Sequence, residues 1–257
     1  NNIIKGKNKG CIDVYVMNKL GSLEDGKPVY PDFNKLIHVA EEHIPVANGN
    51  TVYVGMDFGL TPAAVFAQKI RGRWHILKEV VCIDMGIVRF AELMRQEIAQ
   101  NYQGCDLQMW GDPAGDFRAQ TDESTPFQIL RGAGLVARPA PSNDVSLRLE
   151  SVTVTLNRMV EGQSGFIIDY RCRNLIKGFE GGYQYRRLQV SGERFDDKPD
   201  KNHFSHIHDA LQYLMLGAGE GRQVMQTVVK GSFQAKREYD VFSRQPKKRR
   251  QGLWARL

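Results

Sequence analysis

Two short runs, TVYVGMD (51–57) and DLQMWGD (106–112), constrain this chain more than any other feature. In the first, Val52, Val54 and Met56 alternate with Tyr53, Gly55 and Asp57. In the second, Leu107 and Met109 alternate with Gln108, Trp110 and Asp112. A period of two marks a β-strand, with the two sets on opposite faces. Each run stops on an aspartate, followed by Gly59, Thr61 and Pro62 in one case and by Pro113 in the other. A buried carboxylate without a partner costs several kcal/mol. Asp57 and Asp112 therefore belong at the carboxyl ends of their strands, where α/β proteins place their chemistry, and both need a counter-charge.

The segments between them set the topology. AAVFAQKI and WHILKEVV read as strands joined at Arg71-Gly72-Arg73, and IVRFAELMRQEIAQNY reads as a helix with Val88, Ala91 or Leu93, and Ile98 on one side. A hairpin and one right-handed helical crossover bring the second aspartate strand parallel beside the first. Downstream the pattern gives a helix over TPFQILRGAG, a strand over LVARPAP and a long helix over DVSLRLESVTVTLNRMVEG ending at Gly162. A strand over FIIDY, a polar stretch to about Asn202 and a helix over SHIHDALQYLMLG complete it. The expected class is α/β, a mixed central sheet flanked by helices. No internal repeat is visible. Upstream lie a strand-like CIDVYVM and the turn-rich GSLEDGKPVYPDFN. The latter spells G-x-x-x-x-G-K, but Pro28 stands where a phosphate loop needs Ser or Thr, and Pro31 follows too soon for the required helix, so a plain turn is expected.

At 257 residues, with 42% apolar and 25% charged residues, the chain suits one large domain with appendages. It begins at Asn1, which suggests a piece of a longer protein, and no signal peptide opens it. No apolar run approaches the roughly 20 residues of a membrane span. Four widely spaced cysteines without a C-x-x-C argue against a zinc or disulfide framework and for a reducing compartment. The net charge of +6 sits in a tail: nine of the 35 Lys and Arg, but only two of the 29 acids, fall within 230–257. PKKRRQ suits nucleic acid or an acidic protein surface, or is a solvated flexible tail.

A third acid, Asp209, lies on the last helix. Ser205 is the expected N-cap, and Ile207, Ala210, Leu211, Leu214 and Met215 form one apolar stripe. At 100° per residue Asp209 points roughly 200° from Ile207, on the side of His206 and Tyr213, so it is expected outside the core. His203, His206, His208 and Asp200 crowd it. Two strand-end aspartates and one on a late helix suit two magnesium or manganese ions, which take oxygen ligands and assist phosphodiester hydrolysis. Zinc at the histidines is the weaker alternative.

GMDFG (55–59), WGDPAGD (110–116) and SHIHDALQY (205–213), in that order after the lead-in DGKPVYPDFNKLIHVA (25–40), resemble the nuclease domain of the large terminase subunit of tailed bacteriophages. The resemblance covers roughly residues 10–220. It implies an RNase H-like (ribonuclease H superfold) domain that cleaves double-stranded DNA during viral genome packaging. Its metal-binding acids fall on Asp57, Asp112 and Asp209, with two divalent cations, Mg2+ or Mn2+. Asp57 would bridge both, and Asp112 and Asp209 would hold one each. An auxiliary group near the last acid falls on His208, Asp200 or His206. The stretch 181–202 falls where such proteins carry a variable hairpin, making Arg186, Arg187, Arg194, Lys198 and Lys201 candidate DNA contacts. Residues 1–48 correspond to a lead-in from an ATPase domain missing from this chain, 49–222 to the nuclease, and 223–257 to a basic tail. Implied partners are the small terminase subunit and the portal or procapsid, in the cytoplasm of an infected bacterium. Three other readings compete. VGMDFGLTPAAV also resembles the phosphate loop of actin and sugar-kinase ATPases, which needs a longer chain and a second glycine-rich loop. Resolvases and transposases share the acid triad but not the lead-in, and a binding module would leave the acids unexplained.

Overall fold

All six strands of the central sheet lie in the segments that the sequence marks as strands. The structure is a computed structural model describing residues 26–116, 124–188 and 194–221, all within one packed unit ending at Gly221. The strand expected over CIDVYVM and the tail expected over 223–257 lie outside the described residues.

The elements are β1 (Lys27–Pro28), α1 (Lys35–His38), β2 (Val52–Asp57), β3 (Ala63–Ile70), β4 (Arg73–Val81), α2 (Ile87–Asn101), β5 (Leu107–Gly111), α3 (Pro126–Gly132) and β6 (Ala137–Pro139). They continue with α4 (Val145–Leu156), β7 (Met159–Val160), β8 (Gln163–Ser164), β9 (Phe166–Ile168), α5 (Arg173–Lys177), β10 (Gln184–Arg187), β11 (Phe195–Pro199) and α6 (Ser205–Gly217). The central sheet has six strands in the order β6-β5-β2-β3-β4-β9. β2 pairs antiparallel with β3 and parallel with β5, as the hairpin-and-crossover reading requires. The β3–β4 turn places Arg71 at φ 48° and Gly72 at φ 83°, the pair of positive values that matches the twist of a two-residue hairpin.

Two layers of helix cover the sheet. Val52, Val54, Met56 and Met109 pack with Phe90, Ala91 and Met94 of α2 and with Phe127 and Leu130 of α3. Ala63, Val65, Trp74 and Ile76 pack with Val152 and Leu156 of α4 and with Ile207, Ala210, Leu211 and Leu214 of α6. The face of α2 differs from expectation: Phe90, Ala91 and Met94 are buried, while Val88 is exposed.

Three further expectations are corrected. The long helix stops at Leu156, and Glu161 (φ 51°) and Gly162 (φ 77°) turn a small β7–β8 hairpin, because positive φ at both positions favours that turn over a helix end. The stretch after FIIDY is not simply polar: Leu175, Ile176 and Phe179 bury in and beyond α5. Phe204, not Ser205, precedes α6, whose entry is held by Asn202: its Oδ1 accepts from Phe204 N at 2.9 Å and its backbone oxygen from the Ser205 hydroxyl at 2.7 Å.

The lead-in packs into this unit. β1 forms a second sheet in the order β1-β10-β11, and Tyr30 is buried beside Phe179, Tyr183 and His208.

Candidate metal centre and hairpin

Asp57 ends β2, and Asp112 follows the last residue of β5, whose Gly111 pairs with Met56. Asp112 N donates to Met56 O at 3.1 Å, which fixes the two acids at the same edge of the sheet. Asp209 approaches from α6, on the face toward which Tyr53, Gly55 and Asp57 point. That approach needs a glycine: a Cβ on Gly55 would lie 2.0 Å from Ala210 O and 2.6 Å from Leu214 Cβ. Asp57, Asp112 and Asp209 are thus gathered by two parallel strands and one helix.

Asp209 is only 1% exposed, which corrects the expectation that it lies outside the core. The reason is that α6 is buried on nearly every side, so its polar residues have almost no solvent face to occupy. Its charge is matched locally. Arg148 Nη1, from α4, donates to Asp209 Oδ1 at 3.1 Å, and the Lys201 ammonium donates to Oδ2. Arg148 is itself buried and lies over the Tyr213 ring, 4.9 Å from its centroid. Unpaired, either buried charge would be far more costly than the pair.

Asp57 is 6% exposed, and His206 Nδ1 donates to its Oδ2 at 2.9 Å. Burial pushes the Asp57 carboxyl above its ordinary range; His206 opposes this, and the neighbouring Asp209 charge adds to it. His206 is raised in turn, chiefly by its hydrogen bond to Asp57. Asp112 is the most open of the three. Its Oδ1 accepts from Ala114 N at 2.8 Å and from Asn143 Nδ2 at 3.3 Å, and the Tyr213 hydroxyl donates to Asn143 Oδ1 at 3.1 Å. Arg148, Asn143 and Tyr213 had no signal in the sequence beyond being polar.

The other candidates separate. His206 faces Asp57. His208 packs among the rings of Tyr30, Phe179 and Tyr183. Burial, opposed by the Leu175 backbone, brings it down to about 3, so it is neutral and turned away from the acids. Asp200 pairs with Arg186 across the β10–β11 hairpin. Arg186, Arg187, Arg194 and Lys198 are exposed on that hairpin, whose tip (189–193) lies outside the described residues. Lys201, two residues beyond β11, is the hairpin base that reaches an acid of the site.

Among the described residues, no three His, Cys, Asp or Glu side chains converge on one point as they stand. Arg148 and Lys201 take both oxygens of Asp209, and His206 takes one of Asp57. The donor set nevertheless fits a hard divalent cation. It is all carboxylate oxygen, and two of the acids are desolvated and face each other. An ammonium on an exposed stem already supplies positive charge there: Lys201 acts on Asp57 as well as on Asp209.

A six-stranded mixed sheet covered by helices, with acids at the ends of β2 and β5 and on the closing helix, defines an RNase H-like α/β domain. More particularly, the fold is that of large terminase nuclease domains. The large terminase of a thermophilic bacteriophage superposes with a TM-score of 0.59 at 20% identity, over 77% of this chain and 47% of that one. The nuclease domain of the P22 large terminase superposes with a TM-score of 0.53 at 11% identity, over 77% of this chain and 95% of that one. The chain thus matches about half the length of the thermophilic phage's protein. No family model and no curated protein matches the sequence. No helix among the described residues is long and apolar enough to cross a membrane.

Proposed function

We propose that this chain is the nuclease part of a large terminase, a divalent-metal-dependent endonuclease that hydrolyses phosphodiester bonds of double-stranded DNA during viral genome packaging. What supports the reading is that Asp57 and Asp112 lie at the same edge of two paired parallel strands, with α6 and its Asp209 packed beside them, in a fold similar to that of terminase nuclease domains. Asp57, Asp112 and Asp209 would hold two Mg2+ or Mn2+ ions. Such ions supply an activated water and offset charge on the leaving oxygen.

The surrounding residues orient the acids. His206 fixes Asp57 through Oδ2, leaving Oδ1 for a cation. Asn143, held by Tyr213, and Ala114 N fix Asp112 through Oδ1, leaving Oδ2. Arg148 fixes Asp209 through Oδ1 and matches its charge within the core. Arg186, Arg187, Arg194 and Lys198 on the hairpin would meet DNA phosphates, a contact that weakens steeply with salt. In this reading the small terminase subunit and the portal or procapsid are the partners, an ATPase domain precedes the chain, and the protein works in the cytoplasm of an infected bacterium.

The test is nicking of supercoiled plasmid in Mn2+, Mg2+ or EDTA by wild type, Asp57→Asn and Asp209→Ala. Metal-dependent nicking that both substitutions abolish is expected. Nicking that survives in both would sink the site.

A further inference from the structure

Lys201 is an unusual partner for Asp209. Its side chain is 71% exposed, whereas that of Asp209 is 2% exposed, so a long, solvent-mounted chain reaches inward to place its ammonium on a buried carboxylate. The backbone around it is pinned. Asp200 N donates to Gln184 O at 2.8 Å, and Asn202 Nδ2 donates to Gly182 O at 2.9 Å. The ammonium alone can leave, because a lysine head on a four-carbon stem is a mobile point charge. Arg148 differs in every respect. It is buried, comes from within α4, and stacks on Tyr213 while it holds the other oxygen of Asp209.

We propose that Lys201 is a resident counter-ion that occupies the cation position on Asp209, so that a divalent ion binds only by displacing it. This rests on the metal-centre reading above. Arg148 and Lys201 then have opposite roles on one carboxylate. Arg148 positions Asp209 in every state, and Lys201 competes with the ion for Oδ2. The arrangement gives Asp209 a counter-charge without metal. Once displaced, the ammonium swings out from the base of the basic hairpin, where a phosphate is its natural partner.

The experiment is Mn2+ binding to the full chain, followed by electron paramagnetic resonance of free Mn2+, for wild type, Lys201→Met and Asp57→Asn. Losing a charge-assisted contact that metal must otherwise break is expected to tighten Mn2+ binding in Lys201→Met by roughly tenfold. The rise in Tm on adding Mn2+ is expected to be larger in Lys201→Met than in wild type. Asp57→Asn is expected to weaken binding. Equal or weaker affinity in Lys201→Met, with binding still lost in Asp57→Asn, overturns the displacement and leaves the metal centre standing. Binding unaffected by Asp57→Asn overturns both.

Discussion

Gly55→Ala tests the closest contact in the site. The glycine lies in the middle of β2, two residues before Asp57, and faces α6 beside Asp209. A Cβ there would sit 2.0 Å from the backbone oxygen of Ala210, and contacts below 3.0 Å are essentially never seen, so strand and helix must separate by about 1 Å. None of the atoms struck is the end of a flexible side chain, since the others are Leu214 Cβ and Leu214 N. Overpacking of this kind costs about 1–3 kcal/mol or more. In a domain of this size each kcal/mol lowers Tm by about 2–4 °C, so a fall of roughly 2–12 °C is expected by calorimetry. The same displacement moves Asp209 away from Asp57, and a 1 Å misplacement of catalytic groups costs on the order of a hundredfold in rate. Nicking should fall by about that factor at temperatures where the variant is still folded. Gly132→Ala is the control: nothing lies within 4 Å of its added Cβ, and in a helix it should stabilise by about 0.5–1 kcal/mol. Wild-type Tm and wild-type nicking in Gly55→Ala would refute the claim that close approach of β2 and α6 builds the site.

Other outcomes follow from the same structure. Arg148→Met should destabilise by about 3 kcal/mol in urea unfolding, because it leaves the buried Asp209 short of a partner; adding Asp209→Asn should recover much of the loss. Glu220 accepts from Lys69, Trp74 and Arg158, and these donors outweigh its burial to hold its carboxyl at about 2, against an ordinary 4.5. A depressed folded value stabilises above the unfolded one and is lost as pH falls through the folded one. Wild type should therefore shed on the order of 2 kcal/mol between about pH 4.5 and 2, a slope missing in Glu220→Gln.

The sheet was legible because its strands report themselves twice, by alternation and by the turn residues that end them. Arg71-Gly72 and the proline after each aspartate marked the boundaries of β2 to β5, and the crossover rule supplied the parallel pairing. α6 was legible as a helix but not as a buried one. A helical wheel presumes one wet face, and this helix has almost none, so Asp209 reads as lying outside the core when it is inside. The site's neutralising groups were harder still. Arg148 sits in the middle of SLRLESV, with nothing local to show that it turns inward, and its role exists only because α4 packs against α6. Lys201 reads in sequence as a phosphate contact; that its ammonium reaches Asp209 depends on where β11 ends. His208 shows the reverse case. A histidine beside a candidate ligand reads as functional in sequence, yet one helical position turns it into an aromatic bed.

The burial of α6 has a consequence for the order in which a ribosome delivers this domain. The last helix among the described residues, α6, supplies both Asp209 and the apolar wall over β2, β3 and β4. A nascent chain released only as far as about residue 204 exposes that sheet face to solvent and carries Asp57 and Asp112 without Asp209. Closing the core and completing the acid set are therefore one event, after the sheet has been made. On the nuclease reading, the half-made domain has no means of cutting.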